Sequence, residues 1–440
     1  MLKDEILKYL KTLGQPHLGA GLELLSEEKL SAFLQQLRSF DRSLLERQLK
    51  AFRQPPHPPF SPLNHYARSG NCEDKEYGKR LLAQGKVGCI ILAGGQGTRL
   101  GFSGPKGKVS VSTVRGKSLF QLFAERTKCA SQRARSPLHL SIMTSPLNDQ
   151  ETRQFFHENK CFGLDPSQVS FFIQPVLPFC DDEGNWILEE EGKLAVGPDG
   201  NGHVFSAFSA SGLLNAWRLQ GIELFSVIPI DNPLADPFDA EMIGFQARTK
   251  ADVVLKAVPR LVSNENMGVV VQMQDRIGIV EYTELSLDDA EAKTEDGSFK
   301  YPLANANLFC FHSDFILRTA QTPLPLHLAR KTARHFNDRV PIWKFETFIF
   351  DHLQNAQNAQ VLLCPRANTY APLKNAQGDK SLTTVRAALN AFDHSIFQAL
   401  SGTQIPQRAF ELDPAFYYPT CELKQQWQGK ELPDLDYIEP

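Results

Sequence analysis

One alternation runs through most of this chain: a short apolar run, then an amphipathic segment. VGCIIL (87–92), LHLSIMTS (138–145), QVSFFI (168–173), ELFSVIPI (223–230) and DVVLKAV (252–258) are too short for helices and rich in branched apolar residues, so they read as strands. SLFQLFAERTKCASQ (118–132), NDQETRQFFHENK (148–160) and GHVFSAFSASGLLNAW (202–217) read as the helices between them. Strands joined by helical crossovers form a mostly parallel sheet covered on both faces, a doubly wound α/β fold. Ligands in such sheets bind beyond the carboxyl ends of the strands. With 42% hydrophobic residues among 440, the chain has ample material for that core.

The flanks differ in texture. Residues 1–85 read as an N-terminal helical region with a connector. Leu2, Ile6, Leu7, Leu10 and Leu13 make one apolar stripe, and Ser26 is placed to cap a helix that opens with Glu27 and Glu28. RQPPHPPFSPLN (53–64) then puts five prolines in twelve residues, a stiff non-helical boundary. Residues 86–378 form the expected catalytic domain and 379–440 a short C-terminal region, with a helix in TTVRAALNAFDHSIFQAL. ELSLDDAEAKTEDGS (284–298) reads as a solvated excursion. A net charge of −3 excludes general affinity for nucleic acid or anionic membrane. Eight scattered cysteines without a C-x-x-C pair, and a charged N-terminus unlike a signal peptide, point to the cytoplasm.

The chemistry concentrates after the first strand, in AGGQGTRLGFSGPKGK (93–108). The loop fits neither standard phosphate template. Gly107-Lys108 is followed by Val109 rather than Ser or Thr, and Leu100 stands where a dinucleotide fingerprint needs its third glycine. Its glycines still permit a backbone anion nest, with Arg99, Lys106 and Lys108 adding positive charge. A glycine-rich turn with solvent-facing basic residues would read the same way. VGPDGNGHVF (196–205) is a second exposed turn, and SVIPIDNPLADP (226–237) ends a strand in Asp231-Asn232, a position suited either to a divalent cation or to capping a turn. No H-E-x-x-H and no G-x-S-x-G is present, and His327 and His335 read as ordinary histidines. A reaction whose nucleophile is already ionised needs no base-activated serine; a sugar phosphate attacking a nucleotide is such a case.

LAGGQGTRLG followed by PKGK resembles the signature loop of the eukaryotic-type UDP-sugar pyrophosphorylases, and within that family the UDP-N-acetylglucosamine branch. The resemblance continues in order through MTS (143–145), FFIQPVLP (171–178), PDGNG (198–202), DN (231–232), VEYTE (280–284), FIFD (348–351) and PLKNA (372–376). It implies a Rossmann-like nucleotidyltransferase that uses Mg²⁺ to make UDP-N-acetylglucosamine and pyrophosphate from UTP and the sugar 1-phosphate. Carried over by position, it implies Gly94, Gly95, Gln174 and Gly200 at the nucleotide, and Arg99, Lys106 and Lys374 at the phosphates. It further implies Asn201, Glu281 and Asn307 at the sugar, Phe348 and Phe350 walling the sugar's pocket, and Asp231 at the metal. Gly200-Asn201-Gly202 matches the N-acetylglucosamine enzymes, whereas UDP-glucose relatives typically carry His between the glycines. Three departures stand out. PKGKVSV replaces the usual PKGMYDV, ANANLF leaves Asn305 and Asn307 as alternatives, and the segment beyond residue 380 is short. Glucose 1-phosphate or a broad sugar range is the alternative substrate. The alternative class is a non-catalytic nucleotide-sugar-binding protein.

Overall fold

In the computed structural model, which describes residues 1–53 and 57–440, the strand Val87–Leu92 is buried at every position. It lies between two parallel neighbours, His139–Thr144 on one side and Leu224–Pro229 on the other. Val169–Ile173 extends the first side. On the second side come Leu303–His312, antiparallel to both its neighbours, then Val253–Pro259, Ala359–Leu363 and Ala67–Arg68. This eight-strand path is therefore mostly parallel with one reversed strand, and Val269–Met273, Arg276–Val280 and Phe60–Pro62 add an antiparallel branch beside Leu303–His312. Chain order runs outward from Val87–Leu92 in one direction and then restarts on its other flank at Leu224. That reversal makes the carboxyl ends of Val87–Leu92 and Leu224–Pro229 the switch point of the sheet, the place where a ligand crevice is expected.

This sheet belongs to a compact unit of residues 59–173, 204–321 and 353–440. Its core is aromatic on the helical side: Phe120, Phe123 and Phe156 are fully enclosed against Ile91, Leu140 and Ile142. Each such phenylalanine stabilises the fold by roughly 1.5–3 kcal/mol through removal from water. The C-terminal segment has its own small cluster of Phe397, Phe410, Phe416, Trp427 and Ile438 beside the helix Leu382–Ser401.

A second compact unit gathers residues 1–58, 174–203 and 322–352. Its helices Leu2–Leu13, Glu27–Arg38 and Arg42–Ala51 follow the N-terminal apolar pattern, and Ser26 caps the second by accepting from the Lys29 amide. They close over Trp186, which is fully buried. Two buried glutamines fix the seam: the Gln15 side chain accepts from the Trp186 amide, and the Trp186 indole donates to Gln48, each at 2.7 Å. Of the connector 53–64, Gln54, Pro55 and Pro56 lie outside the described residues, and Phe60–Pro62 pairs as a short strand with Val269–Met273.

The five strands read from sequence form within a residue or so of their expected ends. The expected helix 202–217 is instead two, Val204–Ala210 and Leu213–Leu219, with Gly202 and His203 outside both. Gly212 at φ +80° sits between them, a left-handed conformation that ends the first helix and begins the second.

Candidate active site

At the switch point the parallel register aligns Leu92 with Pro229, so the two strands deliver Gly94-Gly95 and Asp231 side by side. Asn148 holds the glycine turn in place. It is buried, and its side-chain amide donates to the Ala93 carbonyl at 2.9 Å and the Gly95 carbonyl at 3.3 Å. The loop folds back on itself through Gly97 N–H to Gly104 O (2.9 Å) and Lys106 N–H to Gly95 O (3.2 Å). Lys106–Lys108 is a single 3₁₀ turn that lies flat on Phe120; a Cβ on Gly107 would come within 2.2 Å of that ring.

The two lysines of this turn diverge. Lys106 points its ammonium at Asp231, 3.6 Å away, with both side chains more than four-fifths buried. Lys108, the residue that departs from the resembled family, is bound to Glu151 at 2.6 Å and lies over Phe155. Its charge is spent on the protein. Arg99 is exposed on the outer turn Thr98–Leu100 and makes no ion pair among the described residues.

Asp231-Asn232 is stitched to the segment that carries Lys374. The Leu373 amide donates to Asp231 O at 2.7 Å, the Asn232 side chain donates to Thr369 O at 2.8 Å, and Asn232 Oδ1 accepts from Ala371 N at 3.0 Å. Lys374 is half-buried at the start of the following turn, with its amide bonded to Lys380 O. Lys380, which sequence reading passed over, is buried beside it. Desolvation and the neighbouring Lys374 charge both lower the Lys380 pKa. The same desolvation, with the Asp231 charge behind it, pushes the Tyr370 hydroxyl well up, so it stays protonated.

The two candidate asparagines separate on geometry. Asn305 is buried and its side-chain oxygen accepts from the Asn307 amide at 2.9 Å. Asn307 is partly exposed at φ +58°, at a bulge where the pairing with Val253–Pro259 shifts register. Glu281 follows the strand Arg276–Val280 and comes within contact range of Gly268.

In the other unit, the GNG turn is locked onto Thr347. Asn201 N–H and Gly202 N–H both donate to Thr347 O at 3.0 Å, and Thr347 N–H donates to Asp199 O. Gly200 has φ +92°, and a Cβ there would lie 2.2 Å from Thr347 O, so only glycine fits. Asn201 Oδ1 accepts from Ile349 N at 2.9 Å, which leaves its amide hydrogens as the groups not used by that bond. Gln174 is buried at the start of the same segment. Phe348 and Phe350 stack with ring centres 4.9 Å apart.

His327 is a core histidine with its partners in place. It is buried, packs on Phe348 at 4.7 Å and bonds to Asp351 at 3.1 Å, while Asp351 also accepts from the Phe348 amide. Asp199 and His203 bond directly, and burial raises the Asp199 pKa. His352 bonds to Gly202 O at 3.0 Å, and burial lowers its pKa to about 4. The signal for these polar supports was only their position beside PDGNG and FIFD. His335, by contrast, bonds to the Leu188 carbonyl on the hairpin His327–His335/Asp338–Glu346.

A glycine loop and a carboxylate meeting at the switch point of a doubly wound sheet belong to a nucleotide-handling fold. The chain belongs to the UTP–glucose-1-phosphate uridylyltransferase family, whose model matches residues 40–418. It is 36% identical over 341 residues to UDP-N-acetylglucosamine diphosphorylase 1 of Arabidopsis thaliana, covering 72% of this chain and 67% of the relative. With diphosphorylase 2 of the same plant it shares 32% over 418 residues, 87% of this chain and 82% of the relative. Among solved structures it is similar to the UDP-N-acetylglucosamine pyrophosphorylase of Trypanosoma brucei in complex with an inhibitor, at a TM-score of 0.83 and 26% identity, covering 97% of this chain and 95% of that one.

Proposed function

We propose that this chain is a uridylyltransferase that joins UTP to N-acetylglucosamine 1-phosphate, releasing pyrophosphate. The observation that carries the reading is Lys106 meeting Asp231 at the switch point, on a segment bonded to the stretch that leads to Lys374. That arrangement offers fixed charge where a triphosphate would be opened, and it serves a reaction that needs charge neutralisation rather than a nucleophilic side chain.

In this reading a phosphate oxygen of the sugar 1-phosphate attacks the α-phosphorus of UTP in line. The bond from that phosphorus to the bridging oxygen breaks, and pyrophosphate leaves with the electron pair. Gly94 and Gly95 present backbone amides to the nucleotide, and Arg99, Lys106 and Lys374 neutralise the phosphates. Gln174 and Gly200 serve the base. Asn201, Glu281 and Asn307 serve the sugar, with Asn307 favoured over Asn305 because Asn305 is buried while Asn307 is partly exposed at the bulge. Phe348 and Phe350 wall the sugar's pocket. Lone Asp231 suits Mg²⁺, a cation commonly held by one or two carboxylates with the rest of its shell from phosphates and water. Among the described residues no group of three metal-binding side chains forms a resident cage. When bound, Mg²⁺ supplies charge neutralisation to the phosphate oxygens. No helix among the described residues is long and apolar enough to cross a membrane. We place the reaction in the cytoplasm on the cysteines, all eight of which are free thiols.

The names of the plant and trypanosome relatives and the GNG turn support the acetylated sugar. Pyrophosphate release by the purified chain with UTP and Mg²⁺ tests it directly. N-acetylglucosamine 1-phosphate should be turned over in strong preference to glucose 1-phosphate. Preference for glucose would sink the sugar assignment, and no release with either would sink the reaction.

A further inference from the structure

Away from the residues just discussed, the sheet-bearing unit contains a cavity of about 540 Å³, within the range of small-molecule sites. It opens between the helices Cys72–Ala83 and Leu119–Ala134, the stretch after Asp231, and the C-terminal segment. None of Gly94, Gly95, Arg99, Lys106, Asp231, Glu281, Asn307 and Lys374 lines it.

Its charge is unbalanced in a specific way. All four acids at the cavity already have partners in the protein. Glu76 is bonded by Lys79, Asp239 by Lys256, Asp236 by the Tyr418 hydroxyl, and Glu241 by the Gly70 and Asn71 amides. The cations are in excess. Lys75 and Lys424 are exposed at the cavity and make no ion pair among the described residues. Arg126 is 3% exposed, and its Nε has no hydrogen-bond partner. With Nη1 on two backbone carbonyls and the guanidinium over the Tyr417 ring at 4.6 Å, Arg126 keeps its full charge in the cavity wall with no carboxylate paired to it among the described residues, a fixed positive field for an incoming anion. The walls beside these cations are rings: Phe238, Phe392, Tyr417 and Tyr418.

From this pairing of unspent cations with aromatic walls, we infer that the cavity is a second ligand site, taking a small aromatic anion. The site also touches the machinery indirectly. Arg126 Nη1 donates to the carbonyls of Pro233 and Ala235, on the segment that begins at Asp231, and Thr369, bonded by Asn232, lines the cavity. A ligand on Arg126 therefore bears on the segment that sets Asp231, without occupying the place of UTP.

The probe is 8-anilino-1-naphthalenesulfonate, a ring system with one sulfonate, titrated into the full chain by fluorescence. One saturable site per chain is expected, unaltered in stoichiometry by saturating UDP-N-acetylglucosamine. The exposed pair Lys75→Glu/Lys424→Glu should weaken it roughly fivefold or more, from reversal of two charges within a screening length. Phe392→Ala should weaken it independently. Displacement by the UDP-sugar, binding without saturation, or equal affinity in the charge-reversed pair would each overturn the assignment. The charge-reversal arm needs no turnover, so it stands or falls separately from the proposed reaction.

Discussion

Lys106→Ala removes the cation that faces Asp231 across 3.6 Å. At that separation, and with an effective dielectric constant near 20 for a mostly buried pair, a unit charge interaction is worth roughly 4–5 kcal/mol. Water entering the truncated space recovers part of it, so a loss of about 3–4 kcal/mol of charge stabilisation is expected where phosphate charge develops, or 10²–10³ in turnover. The variant also leaves Asp231 uncompensated against a polyanion, so the KM for UTP should rise. Asp231→Asn removes the proposed Mg²⁺ ligand and should lower turnover by itself; because both groups act on the same phosphates, the double variant should be less damaged than the product of the singles. Steady-state pyrophosphate release gives kcat and KM for all three, and thermal melting confirms the fold. If Lys106→Ala keeps its turnover within about threefold at an unchanged melting temperature, Lys106 does not act on the reacting phosphate.

Asn201→Asp retains the oxygen that accepts from Ile349 but replaces the amide donor with a negative charge. The KM for the sugar 1-phosphate should rise about tenfold or more with that for UTP little changed, read by varying each substrate in turn. Gly200→Ala forces a Cβ against Thr347 O at a left-handed φ, and should lower stability by about 2–4 kcal/mol in denaturant melts. His352, with a folded pKa of about 4 against 6.5 unfolded, stays neutral in the fold while the unfolded chain takes up its proton. Its contribution is therefore complete above about pH 6.5 and is lost as pH falls toward 4, about 3 kcal/mol in all. Asp393 runs oppositely, because burial raises its pKa to about 7 and stability falls as pH rises from about 4 to 7. His352→Gln and Asp393→Asn should tilt the stability–pH curve in opposite directions, and parallel curves would contradict the burial argument.

The buried parallel strands were legible because each is a run of apolar residues with no polar face to confuse the pattern, VGCIIL above all. The hairpin His327–His335 was not. Its sequence HLARKTARH alternates toward solvent and carries cations where a strand pattern would want apolar residues, so only pairing with Asp338–Glu346 reveals it. The loop residues came from the resemblance, since a glycine, lysine or aspartate in a loop carries no periodicity. The supports behind them needed coordinates. Asn148 sits 53 residues from the Gly95 carbonyl it holds, and His327 24 from Asp351. Lys108 shows the reverse error: charge in a phosphate-like loop looked like phosphate-binding charge, and Glu151 consumes it.

The unit around Trp186 is assembled from three stretches of chain, ending at His352. At synthesis rates of about 5–20 residues per second, the first helices emerge and then wait tens of seconds for the Phe345 strand that completes their core. Throughout that interval Leu10, Phe33 and Leu37 have no finished surface to cover. On the ribosome, the N-terminal half of this unit thus carries an unfinished core for most of the time the rest of the chain takes to emerge.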